Sequence, residues 1–411
     1  MAVTESASEL RFVDADGHIL EPPADLQDYA PPEFRERIWH VETDTEGHEW
    51  VVAEGHRVPA AVFSLAGVAG YSEEDKARAL AGEFTYSEVS RRAWDPKLRL
   101  EFMDTDGIAA SVLYPTQMLA IQGWPDVAYA VETCRAYNDW LSAHCSAAPA
   151  RLYGVAVLPQ QDVGAAAAEL RRAAALPGIV GAFIRPNPTA DWKPMCDPVY
   201  DPIWQAASDT GLALGFHPYL DAQLPGAVQG LRIGMLGMDT PLRETMDEVG
   251  GAIPGLRSGL DNMAFAQAIA NPVDMMTTLT FLTMGGVCER FPHARFVFLE
   301  ANGGWIVPWL ERLDHHAQEF PWDMPGLTLT PSEYFRRQCW ISFDPDEAAL
   351  VLAATSDLCG SDRIVWASDF PHPDAKYPGT TEELMRAMGS LSPQDQQRIA
   401  GANAVELYNL A

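Results

Sequence analysis

The chain has 411 residues, 47% of them hydrophobic, and can therefore bury a large core within one large domain. Its formal charge of −29 reflects 57 acidic against 28 basic residues, so its surface should repel nucleic acids and anionic membranes, and we expect neither as a partner. The first residues lack the regions of a signal peptide, and no stretch approaches the roughly 18 apolar residues of a membrane span, so we expect a cytoplasmic protein.

Short apolar runs alternate with helical patterns along most of the chain, which predicts βαβ units and a parallel sheet. Eight of these runs predict strands, and eight is the strand count of a TIM (β/α)8 barrel. The predicted strands are residues 11–15, 109–114, 152–158, 180–184, 212–216, 295–299, 340–343 and 364–367. The clearest predicted helices are residues 127–147, 163–175, 202–210, 272–289 and 305–318, with two more in the C-terminal tail.

Two stretches exceed the connections that a compact barrel needs. Residues 36–94 predict an insertion between the first two strands, and residues 218–271 follow the fifth strand and are rich in Gly, Met and Pro. The second stretch is either a lid over the barrel mouth or a packing arm, such as a dimer contact. We treat residues 1–411 as one domain with both insertions, and the pattern leaves a homo-oligomer open.

The six cysteines are scattered, without a CxxC pair or zinc-finger spacing. We therefore expect reduced thiols, as in cytosolic enzymes, rather than disulfides or a structural zinc site.

Ligand-type residues stand where four predicted strands end. In barrels of this kind the active site lies at the C-terminal ends of the strands, so these side chains should meet. Crowded carboxylates repel one another, and a divalent cation removes that cost. Carboxylate and imidazole ligands suit Zn, Fe, Mn or Ni more than Mg or Ca. The residues are Asp16 and His18 after the first strand, His217 after the fifth, Glu300 after the sixth, and Asp369 and His372 after the eighth.

Several segments resemble the amidohydrolase family 2 branch of the amidohydrolase superfamily, which is related to aminocarboxymuconate-semialdehyde decarboxylase. They include VDADGHILEP, WDPKLRLEFMDTDGIAASVLYP, CERFPHARFVFLEANGGWIVPWLERLD and IVWASDFPHPD. The similarity runs from about residue 11 to the C-terminus. It implies a distorted TIM barrel with metal ligands on strands one, five and eight, which correspond here to Asp16, His18, His217 and Asp369.

The chain departs from the family pattern at two positions. Arg185 follows the fourth strand, where dinuclear superfamily members hold a carboxylated Lys. Glu300, in LEANGG, stands where decarboxylases of this branch typically have a His. Glu300 makes the site rich in carboxylates, and Glu21 is either a further ligand or the cap of a turn.

The excess of carboxylates resembles that of carboxylate-bridged di-iron centres. The resemblance also extends to a non-haem di-iron monooxygenase of natural-product biosynthesis. We therefore expect a dinuclear iron site, with Zn or Mn as alternatives. We expect an O2-dependent monooxygenase that acts on a bulky apolar, carboxylate-bearing metabolite, with Glu300 and Asp369 as catalytic residues. The alternative is a non-oxidative decarboxylase or hydrolase that uses a metal-activated water.

Three further residues are candidates for contact with a small-molecule substrate. Arg185 could pair with a carboxylate of the substrate or form a structural ion pair. Tyr114 and Trp124 are predicted to line the barrel mouth.

Overall fold

The computed structural model describes residues 10–411 except residues 90, 190–191, 220–225, 234–262 and 325. The described residues form eleven strands in two sheets. The strands are β1 (Phe12–Ile19), β2 (His40–Thr43), β3 (Glu49–Ala53), β4 (His56–Pro59), β5 (Ile108–Pro115), β6 (Leu152–Ala156), β7 (Ile179–Ile184), β8 (Ala213–Phe216), β9 (Arg295–Phe298), β10 (Cys339–Phe343) and β11 (Ile364–Trp366).

The larger sheet is a barrel of eight parallel strands in the order β1-β5-β6-β7-β8-β9-β10-β11. Its two outer strands meet just beyond β11. There His18 N donates to Phe370 O at 2.9 Å, and Asp369 N donates to Asp16 O at 3.2 Å. The predicted TIM-barrel fold is therefore confirmed, and each of the eight predicted strands has a counterpart in the barrel.

β1 differs most from its prediction, because it continues to Ile19 instead of ending at residue 15. Asp and Gly are rare in strands, so the sequence DADG suggests an early end. A β-bulge accommodates these residues: Asp14 pairs with Ser111 and Gly17 with Leu113, which gives β1 one extra residue. The metal-binding candidates of this segment thus lie on the strand itself.

Helices surround the barrel, and several begin at an Asp whose carboxylate accepts backbone N–H groups of the first turn, as at Asp95, Asp126 and Asp162. The main helices are Pro96–Thr105, Val127–Cys145, Val163–Ala173, Asp201–Thr210, Asn271–Thr283, Ile306–Glu319, Pro331–Gln338, Leu350–Thr355 and Thr380–Ala387. None of the helices in the described part of the chain has the length and hydrophobicity that a membrane span requires.

Two predicted helical segments are organised differently from their predictions. The predicted helix 272–289 is divided at Gly286, whose φ of 78° is left-handed, into Asn271–Thr283 and Val287–Arg290. The two predicted C-terminal helices form one continuous helical segment. In it, the α-helices Pro393–Gln397 and Asn403–Tyr408 flank a π-helical turn, Arg398–Ala402.

The insertion between β1 and β5 builds a small structure on the barrel. β2, β3 and β4 form an antiparallel sheet, and the short helix Ala61–Ser64 follows it. Its buried side chains, such as Ile38, Val51 and Phe63, belong to the same apolar cluster as the barrel core. The second predicted insertion, residues 218–271, lies mostly outside the described residues.

Candidate metal centre and its cavity

Two imidazoles face each other at the C-terminal end of the barrel. His18 Nδ1 lies 2.8 Å from the carbonyl oxygen of Pro115, and His217 Nδ1 lies 2.8 Å from that of Pro218. A carbonyl only accepts hydrogen bonds, so we assign a proton to each Nδ1. The two Nε2 atoms, which are 3.2 Å apart, therefore face the same space, and each can bind a cation when it carries no proton.

Carboxylates surround these ring nitrogens. His18 Nε2 lies 3.7 Å from Asp16 Oδ1 and 3.5 Å from Asp369 Oδ1, and His217 Nε2 lies 2.8 Å from Glu300 Oε2. Both side-chain oxygens of Asp16 and Oδ1 of Asp369 are buried without a hydrogen-bond partner among the described residues. Unpaired buried carboxylates are costly, so these oxygens fit the ligands of a cation.

The ligand atoms fall into two overlapping groups whose members lie within 4.8 Å of one another. One group is Asp16, His18 and His217, and the other is His18, Asp369 and His372. The shared His18 joins them into a single centre. The structure thus brings together six of the seven proposed ligands, because Glu300 contacts His217 and His372 packs on His18 with ring centroids 4.0 Å apart.

The pKa values in this cluster reflect burial and close charges. Burial raises the pKa of Asp16 well above its usual value, and Glu300 raises it further. Burial also raises the pKa of Asp369 and lowers that of His18. The His217–Glu300 pair behaves differently: mutual attraction outweighs burial, so the pKa of His217 is raised and that of Glu300 is lowered.

Glu21, the seventh proposed ligand, lies elsewhere. Its carboxylate is fully buried and accepts backbone N–H groups of Thr116 (3.2 Å), Gln117 (2.8 Å) and Met118 (3.0 Å). Burial raises the pKa of Glu21 to about 7, although these hydrogen bonds act against the rise. Its position favours the alternative role of capping the turn after β5, and it belongs to neither ligand group.

The proposed substrate residues are dispersed. Tyr114 is buried inside the barrel, where its hydroxyl lies 3.0 Å from that of Tyr408 in the C-terminal helix. Arg185 Nη2 donates to Tyr219 O at 2.8 Å and its Nε donates to Asn187 Oδ1 at 2.9 Å, so it supports the loop after β8. Of the three candidates, only Trp124 lines a cavity, and that cavity adjoins the one above the metal cluster.

A network of buried polar groups lies beneath the cluster. Asp14 accepts the hydroxyls of Ser111 and Ser368, each at 2.7 Å, and the N–H of Ser368 at 2.9 Å. Arg99, which is fully buried, donates to His18 O at 2.7 Å. These contacts fix the ends of β1 and β11. The two-residue spacing that Asp14 shares with Asp16 and His18 predicts a structural role beneath them, whereas nothing in the sequence indicates the position of Arg99.

An open cleft lies over the cluster, which reaches it through Glu300 and His372. Its polar lining also includes Asp374, and its apolar lining includes Val62 and Phe63 of the insertion. Ligand sites typically combine apolar walls with a few convergent polar groups. The arrangement therefore has the form of a ligand-binding site with a candidate metal centre at its base.

A sequence model of the amidohydrolase family 2, described as amidohydrolase, matches residues 13–410. The chain belongs to this family. Among the family's curated proteins, it is 24% identical over 333 residues to 2-amino-3-carboxymuconate-6-semialdehyde decarboxylase from Dictyostelium discoideum, covering 80% of each chain. It is also 31% identical over 347 residues to γ-resorcylate decarboxylase from Rhizobium sp. strain MTP-10005, covering 82% of this chain and 94% of the relative.

Solved structures of amidohydrolase-family proteins share the fold. An amidohydrolase from Mycobacterium avium subsp. paratuberculosis K-10 superimposes with a TM-score of 0.71 at 18% identity, over 97% of this chain and 99% of the other. A 5-carboxyvanillate decarboxylase from Novosphingobium aromaticivorans, solved with bound manganese, gives a TM-score of 0.58 at 22% identity, over 79% and 84%.

These relatives correct the prediction of an O2-dependent di-iron monooxygenase, which is wrong. The curated relatives just described are decarboxylases. That prediction rested on the number of carboxylates among the proposed ligands, which exceeds what one ion requires. The carboxylate of Glu21 accepts backbone N–H groups, and that of Glu300 lies beside His217 Nε2. Neither carboxylate therefore requires a second metal.

Proposed function

We propose that this protein is a metal-dependent, non-oxidative decarboxylase of a small organic carboxylic acid. The observation that carries the proposal is the cluster of Asp16, His18, His217 and Asp369, which adjoins an open cleft through Glu300 and His372. The decarboxylase activities of the curated relatives described above support the reaction class.

One divalent ion fits this cluster, held by Asp16, His18, His217 and Asp369. Mixed nitrogen and oxygen donors suit Mn or Zn, and we favour Mn because the similar 5-carboxyvanillate decarboxylase was solved with manganese. A bound divalent ion supplies Lewis-acid stabilisation to a coordinated substrate oxygen.

The side chains of the cluster divide by exposure. Those of His18 and His217 are fully buried, as Asp16 is, whereas Asp369 is 14% exposed and Glu300 20% exposed. The buried groups are suited to holding an ion, and the partly exposed ones can reach a substrate in the cleft. This division supports catalytic roles for Glu300 and Asp369.

Decarboxylation breaks a carbon–carbon bond, and the electron pair left on carbon must receive a proton. Glu300 Oε2 lies 2.8 Å from the ring nitrogen with which His217 would bind the ion, so Glu300 can itself contact the ion. Asp369 keeps a second carboxyl oxygen besides Oδ1, the oxygen that fits a ligand of the ion. We therefore assign proton delivery to this second oxygen of Asp369 and retain Glu300 as a further candidate ligand.

The test is CO2 release by manganese-loaded protein from a panel of aromatic and aliphatic monocarboxylic acids, with dissolved O2 and bound manganese measured in the same samples. We expect CO2 release from at least one acid without O2 consumption, and in D2O one deuterium on the carbon that lost CO2. The absence of CO2 release across the panel from protein that retains manganese would contradict the proposal.

Variants of two aspartates at opposite ends of β11 complete the test. Asp369→Asn should lower the rate at least about 100-fold per bound manganese, the usual size of a general acid's contribution. Asp357→Asn is the matched control, because Asp357 is exposed in the loop that precedes β11. Equal rates for the two variants would remove Asp369 from the mechanism.

A further inference from the structure

The cleft over the metal cluster adjoins a second cavity. The cleft is open to solvent, and the neighbouring cavity is the smaller and the more enclosed of the two. Three residues line both: Phe63, Gln117 and Tyr219. They form the partition between the two spaces, and Phe63 is its only wholly apolar member.

The second cavity is enclosed almost entirely by aromatic and aliphatic side chains. Trp39 and Ala53 come from the insertion, and Trp124 and Tyr129 come from the segment after β5. The ring of Phe63 packs edge-on against Trp39, with centroids 5.1 Å apart. Removing the Phe63 ring would therefore join the cleft to an apolar extension.

Charge in the cleft is concentrated at one end. Glu300 and Asp374 line it beside the cluster, and none of the described residues lining either cavity is Lys or Arg. A ligand carboxylate at the cluster could be neutralised by a cation, but a second anionic group further along would have no cationic side chain among these residues. Burying an unpaired charge is costly, so the distant part of the ligand should be uncharged.

The apolar lining of the cleft indicates the character of that uncharged part. Val62, Phe63 and Leu65 of the insertion line the cleft, and Phe63 also lines the second cavity. An extended apolar body would bury its surface along this wall.

We propose that Phe63 is a specificity-determining residue that sets how far an extended, uncharged apolar body of a monocarboxylic acid reaches from the metal cluster toward the Trp39 cavity. This inference rests on the proposed function for the identity of the acid group. Beyond the acid group, it specifies that the rest of the substrate is extended, apolar and uncharged. The wall that selects for this part of the substrate comes from the insertion.

Binding of three acids to manganese-loaded protein, measured by calorimetry, tests the substrate class. The probes are benzoate, 4-phenylbenzoate and terephthalate. We expect 4-phenylbenzoate to bind at least about tenfold more tightly than benzoate, because its second ring becomes buried. Terephthalate, with its second carboxylate, should bind more weakly than benzoate. Equal affinities of benzoate and 4-phenylbenzoate, or tight binding of terephthalate, would overturn the proposal.

Variants test the position of the partition, with 4-(biphenyl-4-yl)benzoate, a three-ring acid, as the probe. Phe63→Ala should tighten its binding at least about tenfold relative to that of benzoate. Adding Ala120→Leu, which narrows the second cavity, should reverse this gain. Phe84→Ala is the matched control, because Phe84 is a buried Phe of the same insertion that lines neither cavity. Phe63→Leu, a smaller truncation, provides a second measurement if Phe63→Ala does not fold.

The binding experiments do not depend on turnover, so the two proposals can fail separately. If 4-phenylbenzoate binds as expected and no acid releases CO2, the proposed reaction fails and the assignment of Phe63 stands. If CO2 is released but neither ring number nor Phe63→Ala and Phe63→Leu alter relative affinity, the assignment of Phe63 fails alone.

Discussion

His217 Nε2 lies 2.8 Å from Glu300 Oε2 and points at the same space as His18 Nε2. The positions of both side chains follow from their strand ends: His217 comes directly after β8, and Glu300 follows β9 with a left-handed φ of 44°. Non-glycine residues adopt such angles rarely and at a cost, and functional sites are where this cost is commonly found. Glu300 thus lies at the ring nitrogen with which His217 would bind the proposed ion.

Asp16→Asn should change thermal stability in opposite directions without and with manganese. In metal-free protein at pH 8 the variant should unfold roughly 2 °C or more higher than the wild type, because it removes a buried carboxylate near Glu300 that lacks a hydrogen-bond partner. Saturating manganese should stabilise only the wild type appreciably, since binding to the folded state raises its stability. Differential scanning calorimetry measures both effects, and Asp357→Asn should behave like the wild type.

Gly17→Ala should disrupt the bulge that carries Asp16 and His18. A Cβ atom at Gly17 would lie 2.4 Å from Asp14 Oδ2 and 2.5 Å from Ser111 Oγ, two buried atoms that hydrogen-bond to each other. We expect a loss of stability of about 1–3 kcal/mol and at least about tenfold weaker manganese binding. Urea unfolding and metal titration are the measurements.

Gly230→Ala is the control for this prediction. Its added Cβ would meet no atom of the described residues within 4 Å, so both stability and manganese binding should stay near their wild-type values. Tolerance of Gly17→Ala would show that the network around Asp14 does not position the proposed ligands.

Glu21→Gln should alter the pH dependence of stability. Burial raises the pKa of Glu21 from 4.5 to about 7, so between these values the folded protein keeps a proton that the unfolded chain has lost. The stability of the wild type therefore falls as the pH rises through this window, and Gln has no such proton to lose. The free energy of unfolding of the wild type minus that of Glu21→Gln should decrease by up to about 3 kcal/mol between pH 5 and pH 8.

Urea unfolding at several pH values provides these free energies, and other titrating groups cancel in the difference. Glu74→Gln, at an exposed position, should give a difference that does not vary with pH. A difference for Glu21→Gln that is equally constant would show that its carboxylate ionises in the folded protein as it does in the unfolded chain.

The six cysteines are all unpaired, and only Cys196 is partly exposed. We expect one thiol to react with a disulfide reagent such as DTNB in the folded protein and six after unfolding in denaturant. Cys196→Ser should abolish the native reaction and leave five thiols in the unfolded chain. Rapid reaction of several thiols in the folded protein would contradict the burial of the other cysteines.

The sequence was informative about the barrel because parallel strands place their ends at one edge. Asp16, His217 and Asp369 are distant in the chain. The rule that the C-terminal ends of barrel strands converge was nevertheless enough to predict that their side chains lie close together. The role of Glu21 could not be decided in this way. It is only three residues beyond His18, and whether its side chain meets a metal or backbone N–H groups depends on the fold of the turn after β5.

The apolar wall of the cleft could not be predicted from the sequence. Phe63 belongs to an insertion without a repeating strand or helix pattern, and only its packing against Trp39 places it beside the barrel mouth. Arg99 was missed for a similar reason, since nothing in the pattern of the helix Pro96–Thr105 indicates that its single arginine is fully buried beneath His18. Both depend on contacts between segments far apart in the chain.

The barrel closes where β1 meets the segment after β11, through the pairs His18 N–Phe370 O and Asp369 N–Asp16 O. β1 therefore acquires its second neighbour only when β11 and the segment after it have joined the barrel. Until then Asp16 and His18 have no Asp369 with which to share a cation. A variant truncated before residue 369 should keep the group of Asp16, His18 and His217 but lose both the ligand and the backbone contacts that close the proposed site.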